Sequence, residues 1–165
     1  MPQTEGAFTT VRKYRSLRER IATSPEAILV LVVIVIFMDM AIYGLLIPIF
    51  PEYASRLGVS ESTLGLIFGI YAVMLLLFSI PMGLLSDRVG RRPLIIAGML
   101  LLALSTAFFG LLTTTTHLFI ARTVQGISAA ATWSAGLALL ADTTDPSRLG
   151  ERMGIALSAV ALGTV

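Results

Sequence analysis

Asp39 is the only charged residue in the apolar run from Ala27 to Ile49. A carboxylate inside a bilayer is costly when charged, so it must be neutral, paired or turned towards water, and such a group defaults to function. The chemistry open to it is reversible protonation or the holding of a cation. The alternative is a protonated side chain bonded to a neighbouring helix for packing alone. Tyr43 lies one helical turn later on the same face, because residues four apart stack. It is placed to hydrogen-bond Asp39, to offer its ring to a cation, or to anchor the helix at an interface. Arg122, Gln125 and Trp133 belong to another apolar run, Leu118 to Ala141. At helical rise Arg122 lies about 6 Å inside the outer end of its run and Asp39 about 15 Å from the same boundary. A direct pair therefore needs the arginine to reach inward, against the alternative of snorkelling outward. Arg122, Gly126, Ala129, Trp133 and Gly136 share one helical stripe. Trp133, the single tryptophan of the chain, sits away from the interfaces where that residue is common. It either lines an aromatic pocket or packs as an interior ring.

A second constellation is GLLSDRVGRR, Gly83 to Arg92, which crowds Asp87, Arg88, Arg91 and Arg92 between two apolar runs.

The elements that must position these residues follow from composition and hydropathy. The chain has 165 residues, of which 56% are hydrophobic and 13% charged; soluble domains carry about 25% charged residues. Cysteine is absent and His117 is the single histidine, which excludes disulfides, thiolate sites and histidine-rich metal clusters. Without a nucleophile–base pair or a metal set, the residues argue against an enzyme and require no cofactor. Residues 1–26 form a polar, basic tail holding Arg12, Lys13, Arg15, Arg18 and Arg20. Val11, Tyr14, Leu17 and Ile21 recur among those cations at helical spacing, as in a helix lying on an anionic membrane face; a solvated tail is the alternative. Ser24 is placed to cap a helix, with Pro25 and Glu26 suited to its first turn.

Spans are expected at about 27–49, 64–85, 94–112 and 118–141, each long enough to cross the hydrocarbon layer. Residues 50–62 read as a polar connector and TTTTH, 113–117, as a tight turn. Residues 153–165 read as a fifth span that stops part-way, so the chain is expected to be an N-terminal fragment. The bundle therefore occupies 27–165. Gly65 and Gly69 on the second span suit close helix approach. Basic residues orient the bundle: the tail, Arg88, Arg91, Arg92, Arg148 and Arg152 fall on one side, against Arg56 on the other. The positive-inside rule then places the N-terminus in the cytoplasm of a cell's plasma or inner membrane.

GLLSDRVGRRP resembles the signature connector between the second and third helices of the major facilitator superfamily, matching Gly83, Asp87, Arg88, Gly90, Arg91 and Arg92. RTVQGISAA, 122–130, is similar to the Arg-x-x-Gln-Gly motif of its proton-coupled members. DMAIYGLLIP, with Asp39 nine residues before Pro48, and ADTTDPSRLGERMGIAL resemble the vesicular amine transporter and multidrug–proton antiporter branch. The resemblance covers Asp39 to the C-terminus.

It implies an all-α membrane protein: four transmembrane helices and the start of a fifth, from a twelve-helix fold of 3+3 inverted repeats. It also implies a partner for this bundle in a second, C-terminal half. Physically, Asp87 is suited to face a helix N-terminus, which the resemblance places in that half. Arg88, Arg91 or Arg92 is expected to pair with Asp142, and Gly83 and Gly90 to give close approach and a tight turn. Such contacts would latch one side of the transporter. Gln125 is expected to hydrogen-bond into the cavity and Gly126 to permit close packing.

The function so implied is proton-coupled efflux of small organic or cationic compounds, with Asp39, Tyr43, Arg122, Gln125 and Trp133 around the coupling site. The ligands are protons and a small molecule, with no nucleic acid and no metal. A sugar or metabolite transporter is the alternative of the same class, and a non-transporting multi-pass interaction protein the alternative of another.

Overall fold

A computed structural model describes residues 24–108 and 114–164. The basic tail up to residue 23, positions 109–113 and Val165 lie outside the described residues.

Five α-helices and one short 3-10 turn make up the regular structure of the described residues: α1 Pro25–Leu57, α2 Glu61–Val89, α3 Arg91–Phe108, α4 Thr115–Thr143, the 3-10 turn Pro146–Arg148, and α5 Leu149–Gly163. The fold is all-α, and α1 to α4 each contain a stretch long and apolar enough to cross a membrane.

Local chemistry accounts for the helix starts. Ser24 Oγ accepts from the Ala27 N–H at 3.2 Å, with Pro25 and Glu26 in the first turn of α1. Ser60 accepts from the Thr63 N–H at 3.3 Å, and Thr114 from that of His117 at 3.4 Å. Each hydroxyl satisfies one of the orphan donors of a helix N-terminus. Asp145 caps the 3-10 turn through the Ser147 hydroxyl at 2.6 Å and backbone N–H at 2.9 Å. Those two donors, the hydroxyl first, hold its carboxyl below the usual carboxylate range.

Three connectors differ from the sequence expectation. The segment 50–62 is not a free connector, because α1 continues through Pro51 to Leu57 and the chain turns at Gly58 (φ 63°). The charged stretch 83–92 is not a loop either. α2 runs to Val89, Gly90 alone breaks the helix at φ 104°, ψ 149°, and α3 starts at Arg91. In 113–117, Thr114 is a cap and Thr115–His117 are already helical. α5 begins at Leu149, earlier than 153. The reason is common to all of them. Hydropathy marks where hydrocarbon ends, whereas a helix ends where its backbone hydrogen bonds stop, and polar residues continue a helix readily.

α4 is the central element, buried on most of its circumference from Leu118 to Leu140, and it packs against α1, α2 and α3. Small residues let the helices approach. A Cβ on Gly126 would lie 2.5 Å from the Tyr71 carbonyl oxygen of α2, and one on Gly98 of α3 2.6 Å from Thr132 Cγ2 of α4. Ser128 Oγ also donates to the Gly98 carbonyl across that crossing at 2.6 Å. α5 lies on α1, where a Cβ on Gly163 would fall 2.7 Å from Met40 Cβ. By contrast a Cβ on Gly83, Gly65 or Gly69 would meet nothing within 4 Å. The close approaches expected of Gly83 on the signature stretch, and of Gly65 and Gly69, are therefore not made among the described residues.

The main core joins Val32, Val35, Ile36 and Met40 of α1 to Ala135, Leu139 and Leu140 of α4 and Ala156 and Ala159 of α5. Leu66, Leu76, Leu77, Ile80 and Leu84 of α2 point outward. Such a surface is unfavourable in water and at no disadvantage among lipid tails.

Candidate functional site

Three helices converge on Asp39, which is 2% exposed. Its Oδ2 accepts from the Tyr71 hydroxyl of α2 at 3.0 Å and from the Trp133 indole N–H of α4 at 2.8 Å. Both donors meet one oxygen. The site thus depends on the α2–α4 crossing at Gly126, which brings the backbone of Tyr71 against α4.

Arg122 is 1% exposed and turned into the bundle. Its guanidinium carbon lies 4.6 Å from the ring centre of Phe68, 5.1 Å from that of Tyr43 and 5.8 Å from that of Tyr71. These distances fall within cation–π range. The rings also touch one another. Tyr43 and Tyr71 have centroids 5.3 Å apart, and Tyr43 meets Phe68 edge-on at 6.1 Å. Arg122 Nη1 donates to Gln125 Oε1 at 3.2 Å, and Gln125 Nε2 donates to Thr106 Oγ1 of α3 at 3.2 Å. A continuous chain of polar and aromatic contacts therefore runs from α1 through α2 and α4 to α3.

Of the residues singled out in the sequence, Asp39, Tyr43, Arg122, Gln125 and Trp133 all come together. The hydroxyl bonded to Asp39 belongs to Tyr71, while Tyr43 turns its ring to Arg122. Trp133 combines a packed ring with a directed hydrogen bond. Tyr71, Phe68 and Thr106 escaped the sequence reading. Tyr71 had a signal: it is a tyrosine deep in an apolar helix, away from the interfaces where such residues are common.

The charged stretch lies at the opposite end of the helices from Thr114. Arg91 Nε donates to Asp142 Oδ2 at 3.0 Å and Nη1 to Ser86 Oγ at 3.0 Å. Arg91 also pairs with Asp87 one turn earlier. Of the three arginines proposed for Asp142, Arg91 makes the contact; Arg88 and Arg92 are exposed. Gly90, at positive φ, supplies the sharp break that sets Arg91 at the start of α3. Nearby, Arg152 of α5 is buried and bonds Glu26 at the start of α1 at 2.8 Å.

An apolar cavity of about 390 Å³ lies between α3 and α4, bordered by Leu104, Phe108, His117 and Ile120. Its lining includes none of the residues around Asp39. Among the described residues no cluster of histidine and acidic side chains could hold a metal ion.

Comparison with known proteins shows the family. The profile of the Major Facilitator Superfamily matches residues 31–165. The chain is 31% identical over 144 residues to the MFS-type transporter ppzB of Metarhizium rileyi, covering 84% of this chain and 30% of that protein. It is 33% identical over 130 residues to Multidrug resistance protein 2 of Bacillus subtilis, covering 79% and 32%. Against the chromaffin granule amine transporter of Homo sapiens it is 42% identical over 100 residues, covering 60% and 19%. The chain spans about a third or less of the length of these relatives, which are transporters and not enzymes. With its four apolar helices, its signature stretch and a match from the first helix to its last residue, the chain belongs to the Major Facilitator Superfamily, as part of an integral, multi-pass membrane protein.

Proposed function

We propose that this chain carries the coupling site of a proton-driven exchanger that exports small cationic organic compounds. The observation that carries the reading is the buried Asp39 carboxylate, held on one oxygen by Tyr71 and Trp133 where three helices meet. The Asp39 charge is tolerated only when balanced, by a proton, by a bound cation or by the Arg122 guanidinium beside Tyr71. Proton and substrate then compete for one negative charge, and each binds as the other leaves. The names of the multidrug resistance protein and the amine transporter among the relatives support a cationic or amphipathic substrate.

Arg91, Asp87 and Asp142 serve as a latch in the same reading. They join the α2–α3 break to the end of α4, and breaking them accompanies the rocking of one half of the transporter against the other. The second half is the partner of this bundle. The membrane is the plasma or inner membrane, with the Gly90 end and the N-terminus cytoplasmic.

The test is uptake into proteoliposomes under an imposed pH gradient, with the transporter reconstituted in full. Asp39→Asn keeps shape and hydrogen-bonding capacity but cannot ionise. It is expected to abolish proton-driven accumulation and to remove the pH dependence of substrate binding. In the unsubstituted protein, linkage makes apparent substrate affinity fall as protons fill the site. Accumulation that persists in Asp39→Asn makes Asp39 structural and moves the coupling site elsewhere.

A further inference from the structure

Arg122 lies among the rings of Tyr43, Phe68 and Tyr71 as a bound cation lies in an aromatic cage, and the cage shares Tyr71 with the carboxylate of Asp39. We propose that these rings form a cation subsite beside Asp39 and that the Arg122 guanidinium is its tethered occupant, which an organic cation must displace to bind. The inference rests on the reading of Asp39 as a cation-binding carboxylate and adds a specificity element to it.

The geometry carries the proposal in three steps. First, the guanidinium carbon is within about 6 Å of three ring centres at once, the range over which a ring face attracts a cation. A cluster of three faces selects for positive charge rather than for shape, since each ring quadrupole adds to the same field. Second, the cage is not fully buried. Tyr71 and Arg122 are buried, whereas Tyr43 and Phe68 are only partly so, so a ligand would approach past those two rings. Third, the occupant is on a leash. Arg122 shares a hydrogen bond with Gln125 one turn along α4, so a long, flexible side chain can leave the rings while remaining anchored on its helix.

The consequence is discrimination by competition. A small, strongly hydrated cation gains little from aromatic faces and cannot compete with a guanidinium held at high effective concentration by its own backbone. An organic cation with a diffuse charge and an apolar surface gains from both the rings and Asp39. Arg122 thus keeps the subsite filled until a ligand of that class arrives.

Trp133 provides the readout. It is the only tryptophan of the chain and its indole N–H bonds Asp39, so its emission reports occupancy of the carboxylate. The experiment titrates the full chain in lipid nanodiscs with tetramethylammonium, which cannot donate hydrogen bonds, and with the neutral, similarly sized tert-butanol. Arg122→Gln is expected to bind tetramethylammonium at least tenfold more tightly than the unsubstituted chain, about 1.4 kcal/mol, with no matching gain for tert-butanol. Adding Phe68→Leu to Arg122→Gln is expected to reverse most of that gain.

A folded Arg122→Gln chain with no gain overturns the proposal. So does an equal gain for tert-butanol, which would be cavity filling, or a gain kept in the double variant, which would be the mere loss of a neighbouring positive charge. If Arg122→Gln loses helicity, Arg122→Lys carries the test, because it keeps the charge while its compact ammonium stacks less well on rings. The expected gain there is about threefold, and its absence overturns the proposal equally. Failure of the cage is separable from failure of the exchanger. The cage is read by equilibrium binding in Arg122 variants, and the exchanger by proton-driven accumulation in Asp39→Asn.

Discussion

Trp133 and Asp39, 94 residues apart in the chain, are joined by a 2.8 Å hydrogen bond from the indole N–H to Oδ2. The Tyr71 hydroxyl meets the same oxygen, so one atom ties α1 to both α2 and α4. A hydrogen bond is worth about 0.5–1.5 kcal/mol net and more when one partner is charged, which makes this atom a sensitive point of the three-helix junction.

In the proposed exchanger, Tyr71→Phe and Trp133→Phe are each expected to lower proton-driven transport about tenfold or more, the loss of one hydrogen bond to a charged group, with the protein still inserted and helical. Because both donors serve one oxygen, the double variant is expected to fall short of the product of the two single losses. A double-mutant cycle on initial transport rates measures this. Independent, multiplicative effects would separate the two residues.

The glycines divide into two groups by what surrounds them. Gly126→Ala places a methyl 2.5 Å from the Tyr71 carbonyl oxygen and 2.8 Å from Met74 Cβ. Overpacking of this kind costs about 1–3 kcal/mol, and here it also shifts the Tyr71–Asp39 contact. Gly83→Ala meets open space and gains helix propensity of about 1 kcal/mol. Thermal unfolding of the chain in detergent is expected to show a lower midpoint for Gly126→Ala and an unchanged or higher one for Gly83→Ala.

Arg91 and Asp142 are joined at 3.0 Å, with Asp142 exposed. Exposed pairs contribute about 0–1 kcal/mol, so Asp142→Asn and Asp87→Asn are expected to leave the unfolding midpoint nearly unchanged. If the pair acts as a latch, both variants slow turnover in the reconstituted transporter. Equal loss of stability and transport would instead assign these residues to folding.

Orientation is checked with single cysteines, since the chain has none of its own. Ser62 at the start of α2 and Ser147 in the α4–α5 turn are both exposed and lie at opposite ends of the bundle. With the Gly90 end in the cytoplasm, an impermeant thiol reagent labels Ser62→Cys in intact cells and reaches Ser147→Cys only after permeabilisation. The reverse pattern inverts the topology.

What was legible in the sequence is what local physics decides. Apolar runs long enough for a bilayer announced the four spanning helices, and Ser24 announced the start of α1, because a cap acts within three residues. A carboxylate isolated in an apolar run singled out Asp39 as a candidate, since its cost does not depend on the rest of the fold. The helix ends were less legible. Residues 50–57 and 83–89 are polar enough to leave the hydrocarbon, yet the helices continue through them, with Pro51 removing one backbone bond without ending α1, until Gly58 and Gly90 adopt positive φ. The partners were decided by tertiary structure alone. Tyr71 rather than Tyr43 reaches Asp39 because the α2–α4 crossing at Gly126 sets the depth and rotation of α2. Arg91 rather than Arg88 or Arg92 meets Asp142 because the single-residue break at Gly90 fixes which arginine opens α3. Gly126 and Gly83 look alike as residue types and differ only in what packs against them. Composition and spacing determine which helices form and which charges are costly, whereas crossing points between helices distant in sequence determine which side chains meet.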